Sequence, residues 1–528
     1  MGKIARYLNQ LTVGNVFDAP EILEAYSTDR SALKIKPKAV ALPESTEDIC
    51  KLMKFCTQLF SKNIELPVAI WGSGLDEGGA DLTNGLVIST EKLNRLLEAD
   101  RRERLVRVQA GITLKELNTA LSVNGLTIPI GGHENETIGG LISNCPSDTY
   151  AGKYGGVMNY VERIEVVLTN GDVLQTSRLG GHIVTRKAQE KTAEGKIYKK
   201  ISNLVKEYED LIDEIRKSSH SSCGYATIAQ AVRGGSLDLM PLFFGAEGTL
   251  GVITEVILRA MPLPKQPKRV VATFKKISTA QKFLEMVNPM KPRELNVYDS
   301  KIIKLAEETG KKLNSITSKL DEGFVVFATF DHKAKSALKK ITSVKKVLPH
   351  STRLIIESDK NKAALDEFEN SLVSFLNQVQ TGERVPLVTD FYIPSENLGD
   401  FQTDLKVLEK SLGLETYFYG SFSASNYSLR PKFDVEDEEF SKKAVAFLRA
   451  GNFIINRQEG SITGGSPEGR VKAIVANADL PENEKELYLE IKNAFDKNGI
   501  LNPGAKLGAD NRFNLAHFRA VKQTKIVI

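Results

Sequence analysis

Four glycines, Gly72, Gly74, Gly78 and Gly79, crowd into the stretch LPVAIWGSGLDEGGADLTNGLVIST, residues 66 to 90, with an apolar run on either side. Glycine-bent backbone can turn successive N–H groups toward one point, which is the chemistry of a phosphate cradle. The spacing is G-x-G-x-x-x-G, and the residues that follow carry turn formers and then a β-branched run. No helix begins there, so the dinucleotide fingerprint fails its structural requirement. A diphosphate would be held by bent main chain instead of a helix tip; a ligand-free turn is the alternative. Asp76 and Glu77 lie inside the loop, and a phosphate requires their side chains to point away. A second cluster, GGHENETIGGLISNCPSDTYAGKYGG at residues 131 to 156, adds Thr137, Ser143, Asn144 and Ser147 as hydrogen-bonding groups. A third, GAEGTLGVIT, begins at Gly245. Two such loops about 60 residues apart suit an extended nucleotide better than a lone phosphate.

The elements that must position these loops show in the periodicity. A helix is predicted from Ser45 to Leu59, with Ser45 and Asp48 in a capping pattern and Ile49, Leu52, Met53, Cys56 and Leu59 on one face. LPVAIW, GLVIST and LVRVQAG read as strands, and TLKELNTALSVNG as a short helix closed by Gly125. VERIEVVLTNGDVLQT reads as a hairpin on an Asn-Gly turn. Residues 196 to 217 place Ile197, Ile201, Leu204, Val205, Tyr208, Leu211, Ile212 and Ile215 at helical spacing, which predicts one amphipathic surface helix. The proline-rich PLPKQPK, residues 262 to 268, marks a domain boundary. Beyond it, RVVATFKKISTAQKFLEMV, GFVVFATFDHKAKSALKKI and VTDFYIPSENLGDFQTDLKVLEKSL each read as a strand then a helix, the rhythm of an α+β domain with an antiparallel sheet. The last segment, NEKELYLEIKNAFDKNGILNPGAKLG, is a helix stopped at Gly499.

A chain of 528 residues exceeds one ordinary core, and 41% apolar with 26% charged residues describes a soluble globular protein. Lys plus Arg minus Asp plus Glu is 71 − 66 = +5, with both signs interspersed, which argues against nucleic acid as a partner. No apolar run reaches about 18 residues, and MGKIARYLNQ lacks the core of a secretory signal. The mildly basic tail HFRAVKQTKIVI allows at most peripheral contact with an anionic membrane face. Cys50, Cys56, Cys145 and Cys223 form no CxxC pair and suit a reducing, cytoplasmic setting.

The order of motifs resembles the flavin-linked oxidases of the vanillyl-alcohol oxidase, or PCMH-type, superfamily, and within it the D-lactate and glycolate dehydrogenase branch. PKAVALPESTEDI, WGSGLDEGGADLTNGLVIST, LVRVQAGITLKELN, TIGGLISNCPS, YGGVMNYVERIEVVLTNGDVL and FFGAEGTLGVITEVILRAMPLP follow in that family's order. TDFYIPSENL, LRPKFD and NGILNPGAKLG continue it. The resemblance implies an α+β protein with a two-subdomain PCMH-type FAD-binding domain over 1–265. An α+β cap (substrate) domain with an antiparallel sheet would span 266–485, and 486–528 would return to the flavin domain. FAD would lie between the two subdomains, its pyrophosphate on Gly72, Ser73, Gly74, Leu75, Asp76, Gly78 and Gly79. By family position, Thr137, Ile138, Gly139, Gly140, Ser143 and Asn144 would line the diphosphate and ring edge, followed by Gly152, Tyr154 and Gly155. Glu247, Gly248, Gly251, Val252 and Ile253 would meet the adenosine side, and Asn502 would return to the ring. The first loop holds neither His nor Cys, so FAD is expected to be non-covalent, with Cys145 and His133 the nearby residues able to form a link.

Enzymes of this type take a hydride from a substrate C–H at the flavin while a base accepts the hydroxyl proton. In the 2-hydroxy-acid branch a metal assists, held by two histidines and a glutamate. Here Ser421 and Ser428 stand at the histidine positions of GSFSASNYSLRP, and Gly465 and Ser466 replace the Glu-His pair in GSITGGSPEGR, so no metal site is expected. The catalytic candidates are Arg430, as a clamp for a substrate carboxylate, and Asn426, orienting a substrate oxygen, with Tyr419 beside them. Glu468, His133 and His220 are candidate bases. The resemblance thus implies an FAD-dependent dehydrogenase oxidising a small 2-hydroxy acid such as D-lactate, or a related alcohol, and passing electrons to a quinone or redox protein. The alternatives are an O₂-using alcohol or sugar oxidase of the same fold and a flavin-binding protein with lost or altered catalysis.

Overall fold

A computed structural model describes residues 2–218, 224–308, 322–345, 348–349, 352–379, 384–434, 439–508 and 511–518. His220, Cys223 and most of the basic tail lie outside the described residues. The chain builds α+β layers around two main sheets and a smaller parallel-containing sheet.

The smaller sheet runs in the order Asn15–Phe17, Ala39–Leu42, Leu86–Ser89, Val68–Trp71. Its edge strand Val68–Trp71 runs parallel to the inner strand Leu86–Ser89, with Val68 opposite Leu86 and Trp71 opposite Ser89. A parallel pair needs a crossover of a dozen or more residues, usually a helix. Residues 72–85 make this crossover as bent loop, which is why the stretch after the glycines shows no helical period. The helix Thr46–Phe60 packs Ile49, Leu52, Met53 and Cys56 against Val68, Leu86 and Ile88. Ser45 Oγ accepts the Asp48 N–H at 3.2 Å, while the Asp48 carboxylate accepts from Val13 and Gly14, at 2.9 and 3.0 Å, and so ties the N-terminal segment to this helix.

A five-stranded antiparallel sheet follows in the order Leu96–Asp100, Leu105–Gln109, Val252–Arg259, Val161–Val167, Val173–Gln175. The last two strands are the expected hairpin, closed by a short loop with Gly171 at φ 76°. The long helix expected over 196–217 is two helices, Ala193–Glu207 and Glu209–Lys217. Tyr208 leaves helical geometry at φ −110°, ψ 29°, which turns the second helix onto residues 228–231, where Arg216 Nε donates to the Ala229 carbonyl at 3.0 Å. Its apolar face is core: Ile197, Ile201, Leu204, Ile212 and Ile215 are buried.

The seven-stranded sheet, all of its pairings antiparallel, is ordered Arg353–Ile356, Lys268–Phe274, Phe324–Phe330, Glu294–Asp299, Thr416–Ser421, Asn426–Pro431, Val388–Tyr392. One face packs on the helices Ile277–Val287, Leu398–Leu412 and Phe440–Arg457 through Phe283, Phe401 and Phe447. The other is covered at one end by the helices Ser300–Glu308 and Lys362–Val379 through Ile302 and Phe368. At its other end this second face meets the glycine loops. Late residues close the first region: Leu487, Ile491 and Phe495 of the helix Glu482–Phe495 join its core, and Val68 N–H donates to Ile500 O at 2.9 Å.

Candidate functional site

In the bent crossover, the N–H groups of Gly72, Ser73, Gly74 and Leu75 donate to no group among the described residues. The crossover carries three acidic side chains; Asp81 lines the cleft, where burial raises its carboxyl well above the usual range, and the other two are engaged elsewhere. Asp76 Oδ2 accepts the Ala80 N–H at 2.6 Å, and Glu77 Oε2 accepts from Arg430 Nη2 at 2.5 Å. The facing wall is the helix Ile138–Asn144, whose N-cap Thr137 Oγ1 accepts the Gly140 N–H at 3.1 Å. A Cβ on Gly72 would stand 2.7 Å from Thr137 Oγ1, and one on Gly139 would stand 2.9 Å from the Ala110 Cβ, so only glycine keeps this cleft open. Clustered unsatisfied N–H donors in a glycine-lined cleft are a donor set that fits a diphosphate.

The cleft is lined by Gly72, Ser73, Leu75, Asp76, Gly139, Gly140, Ser143, Asn144, Glu247, Gly248, Gly251 and Ile253. The other expected residues are placed as follows. Gly74 turns against the Trp71 ring, Gly79 packs on Leu33, and Gly78 lines an inner cavity. Thr137 is the helix cap, and Ile138 and Val252 are fully buried core side chains. Asn502 Nδ2 donates to Ala80 O and Glu247 O, both at 2.8 Å, and so pins two loops together. Gly152 packs on Ser423, Gly155 on Asn159, and the Tyr154 hydroxyl donates to Asp331 at 2.5 Å. These three line neither space.

An inner cavity of about 220 Å³ continues the cleft, sharing Leu75, Asp76, Glu136, Asn144 and Glu247 with it. Its far wall is this second face of the seven-stranded sheet. Strand periodicity sends Asn426, Ser428 and Arg430 to the cavity while Tyr427 and Leu429 enter the apolar core. Asn296 and Tyr298, with Tyr419 and Ser421, complete that wall from the neighbouring strands.

Arg430 has no solvent exposure. It donates to Glu77 and, at 3.0 and 3.1 Å, to the Tyr419 hydroxyl, while its Nη1 has no partner among the described residues. Asn426 Oδ1 and Ser421 Oγ are likewise buried without partners on this wall. Lys472, also buried, donates through Nζ to Thr389 O, Ile462 O, Ser466 O and Ser466 Oγ at 2.8 to 3.1 Å. His133 touches Glu136 Oε1 through Nδ1 at 2.6 Å and Ser147 O through Nε2 at 2.7 Å. Burial opposes its charge, but Glu136 and the carbonyl outweigh burial and push the imidazole up to about 10. It is therefore a cation with both N–H groups committed, unable to accept a proton. Glu468 pairs with Lys506 and lines neither space.

Sequence reasoning did not find Asp390. It lies in the strand Val388–Tyr392, where the ladder slips between Val388 and Phe391, and it adopts φ 48°. Burial, then Glu77, raise its carboxyl, against Lys472, His133 and Arg430, to about 6. Cys145, Glu247, Ser425, Asn502 and Lys506 also carry positive φ around the two spaces. Such backbone costs roughly 1–3 kcal/mol per residue and persists where the surroundings impose it.

The position that would carry a metal-binding glutamate has no room for one. A Cβ on Gly465 would stand 2.4 Å from Asp390 O and 2.5 Å from Asn426 Oδ1. Among the described residues no group of His, Cys, Asp and Glu is arranged to hold a metal ion. Among them, too, no helix is long and apolar enough to cross a membrane.

Residues 37–177 match the family described as FAD binding domain, and residues 263–505 match that described as FAD linked oxidases, C-terminal domain. The chain belongs to the FAD-linked oxidases. Its relatives include the D-2-hydroxyglutarate dehydrogenase of Pantoea ananatis, 26% identical over 506 residues, 90% of this chain and 48% of that protein. The D-lactate dehydrogenase of Archaeoglobus fulgidus is 26% identical over 494 residues, covering 91% of this chain and 95% of that one. This FAD-linked oxidase thus spans about half the length of the first relative and nearly all of the second. Its fold is similar to that of p-cresol methylhydroxylase, with a TM-score of 0.69 at 15% identity over 97% of both chains. A 4-ethylphenol oxidase from Gulosibacter chungangensis superposes with a TM-score of 0.67 at 16% identity, covering 94% of this chain and 95% of that one. The cofactor of this FAD-linked oxidase is FAD, which the glycine cleft fits.

Proposed function

We propose that this chain is an FAD-dependent dehydrogenase that oxidises a small 2-hydroxy acid to the 2-oxo acid without a metal ion. The observation that carries this reading is the unpartnered, fully buried Nη1 of Arg430 in a cavity continuous with the FAD cleft. A buried guanidinium N–H without an acceptor is costly, and a substrate carboxylate supplies the acceptor. The names of the dehydrogenase relatives support the same substrate class.

The N–H groups of Gly72 to Leu75, which donate to no group among the described residues, would hold the FAD diphosphate, and Gly139, Gly140, Ser143 and Asn144 would line the cleft around it. Bound non-covalently, the flavin supplies the acceptor for the hydride leaving the substrate's carbinol carbon. Arg430 binds the carboxylate, with Glu77 and Tyr419 fixing the guanidinium plane. Asn426 presents its amide to a substrate oxygen. Lys472 keeps a positive charge at the cavity wall. The dehydrogenase then passes electrons to an acceptor such as a quinone or a redox protein.

Anaerobic addition of D-lactate or D-2-hydroxyglutarate to the yellow protein should bleach it, and prior dialysis against a chelator should leave the rate unchanged. Arg430→Lys, which keeps the charge but loses the fork, should raise KM roughly 10- to 100-fold, about 1.4–3 kcal/mol of binding. A yellow protein reduced by no hydroxy acid would refute the reading, and a chelator-sensitive rate would refute its metal-free form.

A further inference from the structure

Resting on that reading, we propose that Asp390 is the base that takes the substrate's hydroxyl proton, a role for which the cavity offers no free histidine among the described residues.

The cavity wall holds four other carboxylates, and each is tied to another group. Asp76 accepts from Ala80, Glu77 holds Arg430 and Glu136 holds His133, while Glu247 accepts the Gly469 N–H at 2.8 Å through Oε1 and sets its other oxygen, which has no hydrogen bond among the described residues, against the Lys506 ammonium at 3.5 Å. Asp390 differs. The strand offers three steps from Val388 to Phe391 where its neighbour offers two, from Leu429 to Tyr427. The extra residue is a β-bulge, a device that re-aims a side chain. Val388 and Phe391 stay in the apolar core, and Asp390 is turned into the cavity. Ser428 holds it from both sides. Its hydroxyl accepts the Asp390 N–H at 3.0 Å and reaches Oδ1 at 3.4 Å. Oδ2 has no hydrogen-bond partner among the described residues. Asp390 is only partly covered by area yet lies deep in the molecule, so what it meets is the cavity and not bulk water.

In the reaction, the substrate O–H bond breaks and its proton passes to Asp390 Oδ2. The carbinol C–H bond breaks with its electron pair, the hydride reducing the bound flavin, and the carbon–oxygen bond becomes the carbonyl of the 2-oxo acid. Asp390, now neutral, returns the proton to solvent after product leaves. The charged groups facing it are Glu77 on the glycine loop, His133 on the second loop, Arg430 on the adjacent strand and Lys472 beyond Ser466. Their balance, with burial, sets the carboxyl at about 6, ionised at neutral pH as a base requires.

The test is stopped-flow flavin reduction across pH, together with infrared spectra of the carboxyl band. Wild type should gain rate through a limb near pH 6, and a protonated-carboxyl band should disappear over the same range. Asp390→Asn should stay yellow, lose that band, flatten the limb and slow reduction roughly 10²–10⁴-fold with KM changed little, and Asp390→Glu should recover part of the rate. If Asp390→Asn fails to retain FAD, Ser428→Ala carries the test. Losing the hydroxyl that supports the carboxylate should move the limb to higher pH, and an unmoved limb overturns the assignment. Wild-type bleaching with an Asp390→Asn rate and limb like wild type overturns the base alone. Wild-type flavin that no 2-hydroxy acid reduces removes the function and this assignment together.

Discussion

The Arg430 guanidinium is shared between the protein and a space. Glu77 and Tyr419 hold Nη2 and Nε, and Nη1 is left to the cavity. Glu77→Gln removes the carboxylate that pairs with a charge of 1% side-chain exposure and should cost about 3–5 kcal/mol in urea unfolding. Asp148 offers a second test, through pH. Burial raises its carboxyl from 3.8 to about 7 although Gly131 and Tyr150 donate to it. A folded pKa above the unfolded one means the native state binds the extra proton, so stability is full below about pH 4 and is lost as pH rises through 7. Asp148→Asn should therefore be more stable than wild type at pH 8, on the order of 2–4 kcal/mol, with the advantage vanishing toward pH 4. Equal unfolding curves at pH 8 would contradict it. Some of this was legible in sequence. Arg430 and Asn426 were singled out, but Glu77 lies 353 residues from Arg430, and no periodicity reports a pair that distant. His133 and Glu136 are only three apart, a spacing that names the partner and hence the loss of basicity.

Strands and capped helices followed their patterns closely because alternation and caps are local. The strand–helix units after Lys268 formed as read, and Ser45 and Thr113 cap the helices expected behind them. The bulge at Asp390 was not legible, because VTDFYIP alternates like an ordinary strand and the slip exists only relative to Ser428. The break at Tyr208 was hidden for a similar reason: the apolar spacing runs on through it, and only packing on residues 228–231 bends the chain. The bulge depends on Gly465, whose missing Cβ makes room for Asp390 O and Asn426 Oδ1. Gly465→Ala should displace both, costing about 1–3 kcal/mol of stability and most of the substrate affinity while the protein stays yellow. Unchanged KM in a folded Gly465→Ala would show that the wall has slack there.

Across the molecule, loops distant in sequence meet on one buried cluster. Lys506 reaches Glu247 and Glu468, and Arg470 donates to Leu82 O, Pro503 O and Asn502 Oδ1. Lys506→Met strands two carboxylates and should cost about 3–5 kcal/mol and loosen FAD, read as a lower Tm and flavin lost on gel filtration. An unchanged Tm would show that Glu247 sits there protonated, as its rise to about 8 allows. The cleft itself could be read from glycine clusters. Its closure through Lys506 could not, since nothing in the sequence joins that lysine to Glu247 or Glu468.

One arrangement reaches back to synthesis. The Val68 N–H donates to Ile500 O and Val68 O accepts the Asn502 N–H, and the helix Glu482–Phe495 fills the core that begins more than 300 residues earlier. A ribosome that has not yet released residues 482–495 has therefore released an unfinished body, with apolar surface still waiting for that helix. Chains halted before residue 480 should stay protease-sensitive in that earlier region and lean on chaperones, whereas chains that include the helix Glu482–Phe495 should resist cleavage there.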